Sequence, residues 1–347
     1  MVKLALNALS KHPTVVFLGA YVKSMRLYYS FITGIAGWIG VSYYQFVAIH
    51  EGTIGTSSIV KSVEIPTPGE KKLVILIILF MAWGINQIIN DFLGRKEDRI
   101  NAPERPMVTG ELHPIKAVLF SLFLMSAITV ITYLYLEPIA LIPLFLGALL
   151  NVVYEYAKGY GILGNITFGI MISMCGLFGF LASGPMEIYL TKSRISALVL
   201  IAILNGLMTY YTYFKDYIGD KATGKKTIIV KYGIEKNKIL AIILSFLPSV
   251  LFIASYFGFQ SFEIELNNTF IILGILTIFL QVWTGSLFYK NPKGEMTYYS
   301  LVTNFRACTC GQAAIIALFS PELGMLLFLC SYVFVGFLFN MHTNIKA

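Results

Sequence analysis

Residues 73–98 read LVILIILFMAWGINQIINDFLGRKED, an apolar run that passes directly into amides, carboxylates and bases. From Leu73 to Leu93 the run is long enough to cross a bilayer, whose hydrocarbon core takes roughly 20 residues of helix. Gln87, Asn90 and Asp91 fall inside that span, where polar and ionisable groups are costly and usually functional. At about 100° per residue, Gln87, Asn90, Asp91, Gly94 and Asp98 share one stripe about 100° wide, the breadth of a single helix face. A membrane-crossing helix therefore carries a polar face at one end.

Comparable apolar stretches lie at 28–49, 115–136, 138–155, 163–184, 195–215, 238–258, 269–289 and 323–341. A further stretch, 301–319, is weaker because Asn304, Arg306 and Gln312 interrupt it. Apolar residues make up 57% of the chain and charged residues 13%, about half the ~25% of a soluble protein. Mean hydropathy is +0.74. An ordinary soluble enzyme is excluded. In lipid every backbone polar group must be satisfied internally, and no alternating strand pattern appears. The fold class expected is an all-α polytopic membrane protein, a bundle of nine transmembrane helices with 301–319 as a candidate tenth. One integral-membrane catalytic domain would cover 1–347, with 1–27 a cytosolic or interfacial N-terminal segment. Its stretch 13–22 is too short to span and has no clear cleavage site. Cys175, Cys308, Cys310 and Cys330 lie in apolar stretches without metal or disulfide spacing and read as buried thiols.

Charge fixes the expected orientation. With a cytosolic N-terminus and ten crossings, 21 of the 26 basic residues fall on the inside. Only Lys61, Lys71, Lys72, Lys192 and Arg194 stay outside; Lys3, Lys11 and Lys346 count inside. The positive-inside rule then puts both termini, and the polar end of 73–93, in the cytosol. The net charge of +8 follows from topology, and the scatter of bases over membrane loops excludes nucleic acid as a partner. Nothing in the sequence calls for an obligate protein partner.

A second polar segment, Lys215-Asp216-Tyr-Ile-Gly-Asp220-Lys-Ala-Thr-Gly224-Lys225-Lys226-Thr227, closes the sixth apolar stretch on the same side. Asp216 and Asp220, four apart, share a face if the helix continues through Gly219. Two acidic helix ends with adjacent bases suit a Mg²⁺-bound phosphate ligand: hard oxygen donors take the ion, which bridges phosphate oxygens. Lysine and arginine neutralise the remaining phosphate charge. A transporter would instead favour broken helices and polar groups at midplane. Here the span centres are apolar and polarity collects at one rim.

Asn90-xxx-Gly94-xxx-Asp98 followed by Arg105-Pro106, and Asp216-xxx-Asp220-xxx-Gly224, resemble the two signature motifs of the UbiA superfamily of intramembrane prenyltransferases. Those read NxxxDxxxD and DxxxDxxxG on the second and sixth helices of a nine-helix bundle. The resemblance implies a prenyl diphosphate, geranylgeranyl or farnesyl, bound with Mg²⁺ at the cytosolic mouth of a cavity open to membrane lipid. It also implies metal ligands at Asn90, Asp98, Asp216 and Asp220, with Asp91 as a fifth candidate. Arg105, Lys158, Lys215 and, further out, Arg26 and Lys225 would clamp the diphosphate. Asn165 stands near the same mouth. Tyr154 and Tyr211, among the aromatics around the motifs, would shield a carbocation. His12, His50, His113 and His342 lie away from both motifs.

One position departs from the family pattern. Gly94 stands where the first motif has its middle acid, a form similar to the UbiA-type terpene cyclases. That likeness implies an enzyme that ionises a prenyl diphosphate and closes it on itself. The alternative is a UbiA-type prenyltransferase that passes the prenyl group to an aromatic or polar acceptor.

Overall fold

The computed structural model describes residues 12–50, 65–186, 188–262 and 264–344. Lys3, Lys11, Lys61 and Lys346, which entered the charge argument, lie outside the described residues, as do the first eleven positions of the N-terminal segment. The side chains of His50 and His342 are also outside them.

Ten described helices are long and apolar enough to cross a membrane. α1 (Pro13–Met25) precedes them and is not one of them. The first five crossings are α2 (Ser30–His50), α3 (Gly69–Leu93), α6 (Pro114–Tyr135), α7 (Leu141–Ala157) and α8 (Leu163–Ala182), with the short α4 (Arg95–Asn101) and α5 (Pro106–Thr109) between α3 and α6. The sixth is α9 (Lys192–Ala222), followed by the single turn α10 (Ile228–Tyr232). The seventh comprises α11 (Ile234–Ser245) and α12 (Leu247–Ile253), and the last three are α13 (Asn268–Lys290), α14 (Glu295–Phe319) and α15 (Pro321–Asn344). The chain is an all-α polytopic membrane protein. The only strand pairing among the described residues is two residues long, Tyr160–Gly161 running parallel to Lys226–Thr227.

The stretch 301–319, the candidate tenth, is one of the ten. Its helix, α14, is full length and is the most deeply enclosed of the ten, with 89% of its apolar window buried. The residues that interrupted the hydropathy turn inward. Asn304 donates to the Met208 carbonyl of α9 at 2.8 Å. Gln312 and Asn205 both meet the Cys308 thiol, at 3.6 and 3.4 Å. Arg306 donates to the Tyr332 carbonyl at 2.8 Å and lies over that ring, in space that Gly336 leaves empty. Helices facing lipid must be apolar, but a helix enclosed by other helices can use polar groups as interhelical contacts.

Elsewhere small residues bring helices together. α2 and α8 cross so closely that a Cβ on Gly179 would fall 1.9 Å from the Gly37 carbonyl oxygen. α1 docks by Tyr21, which shares a 2.7 Å hydrogen bond with Ser121 and meets the Phe120 ring edge-on at 4.9 Å. Val15, Leu18 and Val22 remain exposed on its other side. Docking α1 places Arg26, the residue after it, against the end of α3.

Candidate active site

α3 gives way to α4 through Gly94, yet the hydrogen-bond ladder continues. The Gly94 N–H donates to Asn90 at 2.8 Å, and the Asp98 N–H donates to Gly94 at 3.0 Å. The stripe therefore survives the joint. Gln87, Asn90, Asp91, Gly94 and Asp98 all line one cavity of about 220 Å³. α9 faces them. It is 31 residues long and runs unbroken through Gly219, so Asp216 and Asp220 stand on successive turns. Asn101, the last residue of α4, donates to the Asp216 carbonyl at 3.2 Å and accepts from the Gly219 N–H at 2.9 Å.

Asp91, Asp98, Asp216, Asp220 and Glu155 are each held by a base. Arg26 reaches Asp91 through one nitrogen at 2.6 and 2.9 Å, while Gln87 donates to the same carboxylate at 2.7 Å. Arg26 does so from a left-handed backbone conformation, φ 50°, which costs a non-glycine residue about 1–3 kcal/mol. Arg105 pairs with Asp98 and sits 3.4 Å from Asp91. Lys158 bridges Asp216 at 3.6 Å and Asp220 at 3.2 Å, and Lys215 is 3.6 Å from Asp216. Lys225 pairs with Glu155 and approaches Glu97 at 3.4 Å.

Burial pulls the Lys158 ammonium pKa down, but the Asp216 and Asp220 carboxylates outweigh it and hold the group well above the usual lysine range. Burial pushes the Asp98 carboxyl up from the ordinary aspartate value, with Arg105 opposing. Three acceptors at this site still have a buried oxygen without a hydrogen-bond donor: Asn90 Oδ1, Asp98 Oδ2 and Asp220 Oδ2, the other Asp220 oxygen facing Lys158. Buried polar oxygens are normally satisfied, so this site is poised for a further cation.

Of the residues expected from sequence, Asn90, Asp91, Asp98, Asp216, Arg26, Arg105, Tyr154, Lys158 and Lys215 line the cavity together. Four do not. Asp220 is fully buried behind Asp216 and connects to the mouth through Lys158. Lys225 holds the rim. Asn165 donates to the Gly206 carbonyl at 3.2 Å, tying α8 to α9. Tyr211 points away, its hydroxyl donating to the Ala241 carbonyl at 2.7 Å and its ring stacked on Phe288. A helix presents only some faces to the site, and Tyr211 is on a face packed against α11 and α13.

The sequence reading passed over several residues that do reach the cavity, among them Tyr28, Tyr29, Glu155, Phe168 and Tyr298. Tyr29 stacks on Trp83 at 4.7 Å, and Phe168 meets both Trp83 and Tyr154 edge-on. Tyr28 and Tyr29 carried a weak signal, since they lie two and three residues after Arg26. A second cavity of about 270 Å³ begins where the first ends. Trp83, Gln87 and Asn90 line both, and Ile78, Met125, Leu144, Met171 and Phe178 wall the second.

Residues 63–297 match the UbiA prenyltransferase family. A digeranylgeranylglyceryl phosphate synthase of Methanosarcina mazei is 29% identical over 68% of this chain and 79% of its own length. One from Sulfolobus acidocaldarius is 31% identical over 59% of this chain and 70% of its own. In fold, a UbiA homolog from Archaeoglobus fulgidus bound to GPP and Mg²⁺ superposes with a TM-score of 0.62, at 15% identity over 89% of this chain and 99% of that one. These relatives overturn the terpene-cyclase expectation drawn from Gly94, because they are named for a prenyl-transfer product. The Glu155 carboxylate oxygen lies 3.5 Å from where a Cβ at position 94 would be, in ordinary contact with that position. The chain, with its motifs on α3 and α9 meeting over one cavity, belongs to the UbiA prenyltransferase family.

Proposed function

We propose that this chain is a Mg²⁺-dependent prenyltransferase, taking a prenyl diphosphate as donor and a polar-headed lipid as acceptor. The relatives' name points to geranylgeranyl diphosphate and geranylgeranylglyceryl phosphate, with digeranylgeranylglyceryl phosphate as product. The observation that carries the reading is the junction at Trp83, Gln87 and Asn90, where a cavity rimmed by acids and bases opens into an apolar one. A diphosphate with a long hydrocarbon tail has this division of polarity.

The donor set fits Mg²⁺. Asn90, Asp98 and Asp216 offer hard oxygens into the cavity, with Asp220 behind. Among the described residues no three His, Cys, Asp or Glu side chains come close enough to hold a metal unaided. Mg²⁺ typically keeps waters and takes phosphate oxygens alongside one or two carboxylates. When bound, Mg²⁺ would neutralise charge developing on the departing pyrophosphate.

The chain's own residues do the rest. Arg26, Arg105, Lys158 and Lys215 are held at the rim by carboxylates, and each can exchange a carboxylate for a phosphate oxygen without travelling far. Such preorganised charge is usually the largest catalytic contribution. Trp83, Tyr29, Phe168 and Tyr154 form an aromatic wall against which allylic cation character is stabilised, by about 0.5–2 kcal/mol per contact. The bond from the prenyl C1 to pyrophosphate breaks, an ether bond from C1 to the acceptor oxygen forms, and the acceptor hydroxyl's proton passes to the departing pyrophosphate. The excess of Lys and Arg at this end of the helices supports a cytosolic mouth.

Purified protein given Mg²⁺, geranylgeranyl diphosphate and geranylgeranylglyceryl phosphate should form the diether product, read by mass spectrometry of the lipid extract. Chelation should stop product formation and added Mg²⁺ restore it. Equal product with chelator present would contradict the metal's role.

A further inference from the structure

The first motif lacks its middle acid, and a residue 61 positions downstream reaches the place where that acid would be. Gly94 has an ordinary backbone conformation, φ −87°, so nothing in the chain's path demands glycine there. A Cβ built on it would lie 3.5 Å from Glu155 Oε1 and 3.9 Å from its carboxyl carbon. Glu155 comes from the last turn of α7, beside Tyr154, and lines the same cavity as Asn90, Gly94 and Asp98. The motif positions on either side of Gly94 each keep a buried oxygen without a donor, Asn90 Oδ1 and Asp98 Oδ2. The present partner of Glu155 is the Lys225 ammonium, which also approaches Glu97 at 3.4 Å.

We propose that Glu155 supplies from α7 the carboxylate that position 94 lacks, and is a ligand of the first-motif metal when the diphosphate is bound. Lys225 is then the cation that occupies Glu155 until the metal arrives, as Arg105 occupies Asp98. The competing role for Glu155 is purely mechanical: pinning Lys225, and with it the loop after α9, to the rim.

This inference rests on the Mg²⁺ reading above, and the test separates the two. The probe is Mn²⁺ binding to the detergent-purified full chain with inorganic pyrophosphate present, read from the electron paramagnetic resonance signal against the same solution without protein. Glu155→Gln should weaken Mn²⁺ binding about tenfold or more, while Lys225→Met should not weaken it. Gly94→Asp should restore binding in the Glu155→Gln background. In the parent it should gain nothing, because two carboxylates would then crowd one position. Thermal melting of each variant shows whether it is folded, and recovery by a second substitution cannot come from a collapsed protein. If Asp98→Asn and Asp216→Asn bind Mn²⁺ as the parent does, the metal reading itself fails. If those two lose binding but Glu155→Gln keeps it, the Glu155 assignment alone is overturned. Equal losses in Glu155→Gln and Lys225→Met, with no recovery from Gly94→Asp, would make Glu155 a rim anchor and overturn it as well.

Discussion

Asn101 grips the backbone of Gly219, accepting its N–H at 2.9 Å while donating to the Asp216 carbonyl at 3.2 Å. One amide thus sets the distance between the acids of the first motif and those of the second. Gly219 is what permits the approach, since a Cβ there would fall 2.4 Å from the Asn101 amide.

Gly219→Ala should therefore push α4 from α9 and lower transfer by at least tenfold, because small misplacements of reacting groups are expensive. Asn101→Ala removes both hydrogen bonds and the obstacle. The double variant should then be less impaired than the sum of the single ones, with a coupling of about 0.5–3 kcal/mol measured in a double-mutant cycle. Strict additivity would show that the two residues do not act on one another.

Asp91 is the carboxylate between two arginines, only 2% exposed, with Arg26 and Arg105 both in reach. Asp91→Asn should leave buried guanidinium charge uncompensated and destabilise the fold by about 3–5 kcal/mol. Thermal melting in detergent checks it. A variant that melts like the parent but has lost Mn²⁺ binding would identify Asp91 as a metal ligand instead of the partner of Arg26.

Asp98→Ala and Asp220→Ala each remove an acid that pairs with a base through one oxygen and leaves the other, Oδ2, without a donor. If these acids organise metal and base around the diphosphate, each should lower the single-turnover rate by about 10²–10³ or more. The two reach the diphosphate differently. Asp220 is fully buried and acts through Lys158, so Lys158→Met should reproduce much of its loss. Near-parental rates in both aspartate variants would mean these acids only shape the rim.

α9 carries exposed lysines at both ends, Lys192 and Lys221. At 1.5 Å per residue the helix is roughly 46 Å long, more than a bilayer core. Cysteines introduced at 192 and 221 should label from opposite sides of sealed vesicles, with 221 on the cytosolic side. Labelling of both from one side would remove the transmembrane path of the second-motif helix.

Much of this site could be read in the sequence because it is local. Gln87 to Asp98 and Asp216 to Asp220 are short runs whose facing follows from helical periodicity alone; the first-run polar residues and Asp216 share a cavity, with Asp220 buried beside it. Tyr211 shows the limit of that reasoning. It precedes the second motif by only five residues, yet the burial of its face against α11 and α13 is set by which helices become neighbours. Glu155 and Asn101 were invisible for the same reason, since each acts on a residue more than fifty positions away. Gly94 misled because a missing side chain was taken as missing charge, whereas packing brings Glu155 to that place. Asn304, Arg306 and Gln312 weakened the hydropathy signal of the candidate tenth helix because hydropathy assumes a lipid-facing helix, and α14 is 89% buried over its apolar window.

The claim that the prenyl group is transferred and not cyclised is tested most directly by giving the purified protein Mg²⁺ and geranylgeranyl diphosphate, with and without geranylgeranylglyceryl phosphate, and weighing every product against pyrophosphate released. The account predicts little turnover with donor alone and, with acceptor, one diether formed per pyrophosphate. A cyclic hydrocarbon formed from donor alone, at a rate the acceptor does not change, would contradict it.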